Sequence, residues 1–516
     1  MSNPHLLYGL ETEYGISRED PAANHDVVAE SIALVRAARE EGVRMRWDYA
    51  CEDPHVDARG FRVDALRQDV DEANYFAQDA ARPMSFSEIK SDLALRNGAR
   101  FYNDHAHPEY CTPECATIQD LLIQDQLGDQ LVMGCAQAVW EQDVDSPEGL
   151  VRLYKNNTDF LGHSYGCHEN YLVPRALPWH VLSEGMLAFL ITRQIFAGAG
   201  KFALEQEDRY AGPGFQISQR GDFFSVIESV DTMQKRPIVN TRDEPHANPQ
   251  DWRRFHVICG DANLSPFATY LKVGSTAAVL RALTTGVPQE SIPRLANPVE
   301  TIRDLSRDPS WQWECQTSDG RTTTAIEIQR AYLDLVRKHA GPSHDGFDLS
   351  DWETVLDDLE RDPLTTADRL DWSAKYQLID QFRQAEAVDA SDPWLMSLDL
   401  AYHLLDHDEG LFLALRDQGN LRMPPGLSLQ AERSWQLPRG TRARIRGLCI
   451  ERFGQQVAAA QWDHVRLRGT DGLGLELDLR DLFRPADIAL AEAKIRAANG
   501  IEDLYSLPFA KPWKAD

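Results

Sequence analysis

Apolar and polar positions alternate most clearly over Asn97 to Glu114, NGARFYNDHAHPEYCTPE. Side chains of a strand point alternately to its two faces. Ala99, Phe101 and Asn103 then share one side, and Arg100, Tyr102 and Asp104 the other. A cation, a phenol and a carboxylate in register make poor core and a reasonable floor for a site; an edge strand with a solvated face is the competing explanation. The run continues through His105, His107 and Glu109, and Pro108 is expected to halt regular pairing. Thr117, three residues before Asp120, opens a helix at capping-box spacing.

Leu6 to Ile16 alternates in the same way, with Leu10, Thr12, Tyr14 and Ile16 on one face and Glu11 and Glu13 on the other. Two carboxylates about 7 Å apart along a strand can reach one divalent cation or two adjacent ones. An exposed edge strand is again the alternative. Asp26 to Glu41 has helical periodicity. From Arg46 to Arg96 the periodic signal fades and Asp and Ala accumulate, which predicts a long, mobile surface insertion ahead of the central strand.

Ser164 to Val173 fits a strand with His168 and Asn170 on one face and Glu169 opposite. Taken alone, His168 reads as a hydrogen-bonded structural histidine. Phe215 to Arg220 reads as a further short strand placing Gln216, Ser218 and Arg220 together. Polar residues end the apolar runs in Arg236 to His246 and Arg253 to Asn263. Arg220, Arg242 and His256 therefore either converge on a phosphate or are scattered surface charges, and spacing allows both. The rest is mainly helical. Thr324 with Glu327 opens a helix that ends at Arg337, Lys338 and His339 before Gly341, and Ser350 with Glu353 opens another. Met423 to Leu429 reads as a linker. Beyond it, a basic helix over Thr441 to Phe453 and a Val457 to Leu467 segment containing Trp462 suggest a small separate α/β domain.

At 516 residues the chain exceeds one compact core. Hydrophobic residues at 43% and charged residues at 26% are ordinary for a globular protein. A net charge of −28 repels nucleic acid and anionic membrane unless a local basic groove overrides it. The apolar run Met186 to Ile191 is too short to span a bilayer, and no signal peptide is visible at the N-terminus. Eight cysteines without CxxC spacing fit a reducing cytoplasm. There is no Walker loop and no GxGxxG, so any nucleotide would be held by cations, metal and strand side chains.

Taken together and in order, GLETEYGIS, NGARFYNDHAHPEY, KNNTDF, SYGCHENYLV, ISQR, IVNTRDEPHA, RRFHVICGDAN, LDLVRK, DWSAK and AAAQWDHV resemble the Pup ligase and deamidase-of-Pup family over nearly the whole chain. DHAHPEY, shorter than the DVGSHPEY usual in the ligase branch, and the loop-like RWDYACEDPHVDARGF match the deamidase and depupylase branch. Asn103, where valine is common, and the loop after Phe61 depart from it.

The resemblance implies an α+β, glutamine-synthetase-like carboxylate-amine ligase core, an antiparallel sheet packed with helices. It would span residues 1–425 with the insertion at about 44–94, followed by a small C-terminal α/β domain at 426–516. It implies an ATP- and Mg²⁺-dependent proteasome accessory hydrolase of the cytoplasm. That enzyme would deamidate a C-terminal glutamine of the modifier Pup and cleave its isopeptide bond to substrate lysines. A Pup–protein ligase and an inactive Pup-binding adaptor are the alternatives. Glu11, Tyr102 and Glu109 are implied as magnesium ligands, with Glu13 and His256 as further candidates. Arg100, Thr112 and Trp462 are implied as ATP contacts, with His168, Arg220 and Arg242 in the same nucleotide cradle, and Asp104 as the catalytic aspartate.

Overall fold

Fourteen strands carry the architecture of the computed structural model. It describes residues 6–18, 26–38, 42–44, 46–49, 52–66, 82–142, 149–160, 162–202, 214–231, 236–341, 345–389, 392–427, 436–469 and 473–514. They begin with β1 (Leu7–Glu13), β2 (Gly42–Arg44), β3 (Arg46–Trp47), β4 (Leu93–Leu95), β5 (Arg100–Asp104), β6 (His107–Cys111) and β7 (Cys167–Pro174). They continue with β8 (Val226–Ser229), β9 (Pro237–Asn240), β10 (Trp252–Val257), β11 (Val457–Gln461), β12 (His464–Arg468), β13 (Leu473–Asp478) and β14 (Ala510–Lys514). Nine form one sheet in the order β8–β9–β10–β7–β1–β6–β5–β4–β2. The β8–β9 pair is parallel and the other pairs are antiparallel. The fold is α+β around a large antiparallel sheet.

β1 lies between β7 and β6, and β5 between β6 and β4, so neither is an edge strand. Pro108 does not halt the pairing. It opposes Asn103 within the β5–β6 hairpin, whose turn is His105–Ala106 with His105 at a φ of 56°. The Pro108 carbonyl accepts from the Tyr14 N–H at 3.1 Å, on the β1 side. Its missing N–H faces that side too, and the β5 ladder loses nothing.

Three long helices cover the apolar face: α1 (Val27–Ala37) and α2 (Ile118–Gln142) under β5 and β6, and α3 (Trp179–Thr192) farther along. α4 (Pro266–Thr284), buried nearly throughout, and α5 (Ala325–His339) and α6 (Leu349–Arg361) complete the layer. Leu10, Tyr171, Val173, Phe255 and Val257 from the sheet join Phe189, Leu271 and Trp352 from the helices in one core. Glu169 points into this layer and pairs with Arg193 (Oε2–Nη1 2.8 Å), so β7 has the expected facing. The Thr324–Glu327 capping box is present at the start of α5. α6 starts one turn boundary earlier than Ser350 suggested: Asp348 is the cap, its carboxylate accepting from the Ser350 N–H at 2.9 Å. Phe215 to Arg220 is not a strand. Gln216 makes a single bridge to Lys201, and the Ser218 hydroxyl takes the N–H groups of Arg220 and Gly221, each at 3.1 Å. A side chain that accepts local N–H groups competes with a strand ladder, and Gln216, Ser218 and Arg220 therefore do not share a face.

The second sheet runs β14–β13–β12–β11–β3. It packs with α7 (Arg442–Phe453), which starts at Thr441 as its composition predicted, and α8 (Pro485–Ala497). Its edge strand β3 comes from the stretch expected to be a surface insertion, and pairs in parallel with β11 (Ala460 opposite Trp47). Parts of that stretch are built into the fold, while Phe61 and Phe86 in it stay exposed. Trp47 is 2% exposed in the second core. Asp57, buried, accepts from the Thr241 hydroxyl at 2.7 Å. Residues 50–51 and 67–81 lie outside the described residues. At the expected linker, Leu427 is buried in the first core and Met423 packs against it, while 428–429 are not described. Trp47→Ala is expected to cost about 3–5 kcal/mol, as for a large aromatic removed from a close-packed core. A denaturant-melt midpoint unchanged from wild type would contradict this packing. Among the described residues, no helix is long and apolar enough to cross a membrane.

Candidate active site

The polar face of β10, β7, β1, β6 and β5 floors a cavity of about 1470 Å³. Its other walls include Tyr49, Glu52 and Lys90, the Arg220 loop, and Trp462 at the β11–β12 turn. Strand alternation sets which side chains enter it, and the register sets their neighbours: Glu11 lies opposite His168, Glu13 and Tyr102 opposite Glu109, and Asn170 opposite His256. Every site residue inferred from the sequence lines this cavity.

Glu11 and Glu13 belong to two different clusters. Donor atoms of Glu13, Asp104 and Glu109 lie within 4.8 Å of one another. Tyr102 Oη donates to Glu109 Oε2 at 2.8 Å and the Cys111 thiol donates to Oε1 at 3.2 Å. Burial, then the charges of Asp104, Glu11 and Glu13, push the Glu109 carboxyl well above its usual range. Converging carboxylates that resist ionisation together fit a hard divalent cation such as Mg²⁺, which would relieve that repulsion through oxygen ligands.

Within this cluster Asp104 differs. Its Oδ1 meets Lys90 Nζ at 2.5 Å and its Oδ2 meets His105 Nδ1 at 3.3 Å. Burial alone would raise its pKa, but the charge of Lys90 and then that of His105 hold it well below the usual carboxylate range. The Asp104 charge in turn raises His105.

The second cluster joins Glu11, His168 and His256, again within 4.8 Å. Glu11 is also bound by Arg254 (Nη2–Oε1 2.9 Å) and by Asn170 (Nδ2–Oε1 3.0 Å). His168 Nδ1 lies 3.3 Å from Glu11 Oε2. Among the described residues neither ring nitrogen of the buried His256 has a partner within ordinary hydrogen-bond geometry, Glu11 Oε2 lying 3.5 Å from Nε2. Burial and then Arg254 lower His256 to about 3, so the ring is neutral and keeps a lone pair for a ligand. His168, which alone reads as a structural histidine, thus joins Glu11 and His256 in a cluster of metal-ligating type.

Two arginines stand ready for an anion. Arg220 is fully buried: Nη1 donates to the Ile258 carbonyl and Nε to Ser164 Oγ (3.2 Å), while Nη2 has no partner among the described residues. Burial lowers the pKa of Arg220 and of Arg242, whose Nε donates to the Val230 carbonyl at 3.0 Å. Arg100 is different, because its charge is already paired. Asp92 Oδ1 accepts from its Nε at 2.9 Å, and the guanidinium lies between Tyr102 (3.7 Å to the ring centre) and Trp47 (4.2 Å). Thr112 Oγ1 accepts from the Leu10 N–H at 3.0 Å, which leaves its own proton for another partner. Trp462 meets Trp47 edge-on at 5.2 Å and lies under Arg446 at 4.9 Å. Glu114 binds Arg446 and Arg442 (2.8 Å to the latter), which pull it to about 2 against the effect of burial. These contacts tie α7 and the second sheet to the cavity rim.

Lys90, Asp92, Tyr49 and Arg254 were not singled out from the sequence, and His105 was named there without a role. Arg254 was within reach, because it shares a strand face with His256 two residues on. Lys90, Tyr49 and Asp92 lie in the stretch without periodicity, which offers no such signal.

Comparison with known proteins gives consistent matches. The model of the family described as "Pup-ligase protein" matches residues 6–466. A protein of Acidothermus cellulolyticus named "Depupylase" is 40% identical over 488 residues, covering 91% of this chain and 92% of its own. One of Mycolicibacterium smegmatis named "Pup deamidase/depupylase" is 40% identical over 470 residues, covering 89% and 91%. A solved structure of the Pup ligase PafA in complex with ADP superposes with a TM-score of 0.69 at 32% identity, covering 85% of this chain and 97% of that one.

Proposed function

The chain belongs to the Pup-ligase protein family, and from that premise we propose that it is a nucleotide- and Mg²⁺-dependent depupylase and Pup deamidase of the cytoplasm. The observation that carries the chemistry is Asp104, a carboxylate kept charged by Lys90 and His105 at the edge of a cluster built for a cation. Relatives sharing 40% of their residues over about nine-tenths of the chain are named for this activity. Free thiols at all described cysteines support a reducing compartment.

The bond broken is an amide at the C-terminus of Pup. It is either the side-chain amide of a terminal glutamine, releasing ammonia, or the isopeptide bond to a lysine, releasing that amine. Both need an attacking oxygen, a stabiliser for the oxyanion and a proton for the leaving nitrogen. Asp104 either attacks the carbonyl carbon itself, expelling the amine and forming an anhydride that water then hydrolyses, or takes the proton from a water that attacks the carbonyl directly. His105, 3.3 Å away and with its pKa raised by the Asp104 charge, is placed to hand a proton to the departing amine. The unpaired Arg220 Nη2 offers a buried donor to developing negative charge. Glu13 and Glu109, with Tyr102 fixing Glu109, would hold Mg²⁺, and Glu11 with His256 and His168 would form a neighbouring position. Arg220, Arg242, Thr112 and Trp462 would seat ATP, and Arg100 would shape that seat through its rings and Asp92. Bound Mg²⁺ and nucleotide would supply positive charge and a phosphate to this face.

The test is the full chain with a Pup–protein conjugate and, separately, glutamine-ended Pup, with and without ATP and Mg²⁺. Release of free target and conversion of glutamine to glutamate are expected only with nucleotide. Conjugate formation from glutamate-ended Pup, with no cleavage, would replace this reading by the ligase. Binding without turnover of any substrate would replace it by an adaptor.

A further inference from the structure

Lys90 ends the short helix Phe86–Lys90, in the aperiodic stretch ahead of β4. Its Nζ touches Asp104 Oδ1 at 2.5 Å and lies 5.3 Å from the centre of the Tyr102 ring. The backbone that carries it is anchored on two sides. Asn103 Nδ2, from β5, donates to the Ile89 carbonyl at 3.2 Å. Arg36, from α1, donates to the Glu88 carbonyl (3.2 Å) and to Ser91 Oγ (3.3 Å). Ser85 and Glu88 form a capping box at the helix start, and Ile89 is buried. Ser91, at a φ of 50°, ends the helix and turns the chain away. The lysine stem is thus held over the strand whose Asp104 it contacts, and its side chain is only 17% exposed. An ordinary surface ion pair needs none of these supports, and it would hold two freely moving side chains.

We propose that Lys90 is a positioning residue of the active centre, which fixes the Asp104 carboxylate through Oδ1 and leaves Oδ2 toward His105 and the cavity. A reacting carboxylate must keep its orientation as substrate arrives, and a misplacement near 1 Å costs about 10²-fold in rate. The inference rests on the reading of Asp104 given above, and its test has an arm that does not depend on turnover. A water-soluble carbodiimide joins an amine and a carboxylate in contact by an amide bond, with loss of water and no spacer. Arg96 and Arg100 lie between Lys90 and Asp104, so trypsin separates the two residues unless they are joined. A peptide linking Lys90 to Asp104 is expected from the wild-type chain and not from Asp104→Asn. Its absence from the wild-type chain would overturn the proposal.

In the kinetic arm, Lys90→Met is expected to lower kcat about 100-fold on glutamine-ended Pup and on a conjugate alike. KM, ATP affinity and melting temperature should stay near wild type. Lys90→Arg, which keeps the cation on a different fork, should recover about tenfold of that loss. A wild-type kcat in Lys90→Met, or a loss that follows the melting temperature and is not recovered by arginine, would overturn the positioning role. A wild-type chain that cleaves neither substrate would defeat the depupylase reading instead, and the crosslink would still decide whether Lys90 holds Asp104.

Discussion

Asp104→Asn is expected to leave a folded protein that binds ATP and Pup and that deamidates and depupylates at least about 10³-fold more slowly, the range carried by a positioned base or nucleophile. The substitution keeps nearly the same volume and removes the charge and basicity. Both activities should fall together, since each passes through attack on the same kind of carbonyl. Folding should survive because the amide keeps an acceptor oxygen for Lys90, and the Lys90 and His105 side chains, 17% and 36% exposed, retain contact with solvent. The measurement is product formation on glutamine-ended Pup and on a conjugate, beside binding titrations. Near-normal cleavage with intact binding would remove Asp104 from the chemistry and leave the β5–β6 hairpin as a binding platform.

The second large effect is expected at Glu109. Glu109→Gln should weaken Mg²⁺ binding by about 100-fold or more, because even indirect partners of a metal ligand are worth 10–100-fold. Titration of Mg²⁺ into the nucleotide-saturated chain reads this directly. Stability without metal should move the other way. The Glu109 pKa is raised in the folded state by burial and by Asp104, Glu11 and Glu13. A group of that kind supports the fold fully below its unfolded pKa, and the support is lost as pH rises toward the folded value. Glutamine stays neutral throughout, so with chelator present at neutral pH the variant should melt at or above the wild-type temperature. Unchanged Mg²⁺ affinity would sink the ligand assignment. A lower melting temperature in chelator would show that Glu109 stabilises the fold and that its site is not strained for metal.

Such a trade is common where a site is preassembled for a ligand, since groups that repel one another are kept together for the moment of binding. The same holds for Arg220, whose buried Nη2 goes without a partner among the described residues. The fold tolerates these groups because the opposite face of the sheet is packed against α1 to α6 and carries its own satisfied pair, Glu169 with Arg193.

What the sequence determined by itself was the facing of the strands. A period of two needs no partner to be read, so Arg100, Tyr102 and Asp104, Glu11 and Glu13, and His168 and Asn170 were placed on one face before any neighbour was known, and they line one cavity. The helix start marked by a local side-chain cap, at Thr324, was legible for the same reason: the signal and its structure lie within one turn. Which strands are neighbours was decided only in three dimensions. Pairing set Glu11 beside His168 and His256, Glu13 beside Asp104 and Glu109, and both strands in the interior of the sheet. Pro108 stayed in its ladder because of the side its nitrogen faces, and Phe215 to Arg220 was withdrawn from any ladder by the Ser218 hydroxyl. The aperiodic stretch between α1 and β5 was the least legible. Its residues are held by contacts far away in sequence: Trp47 by the second core, Asp57 by Thr241, and Lys90 by Asp104. Long-range burial and ion pairing leave no period along the chain, and so they appear only once the chain is folded.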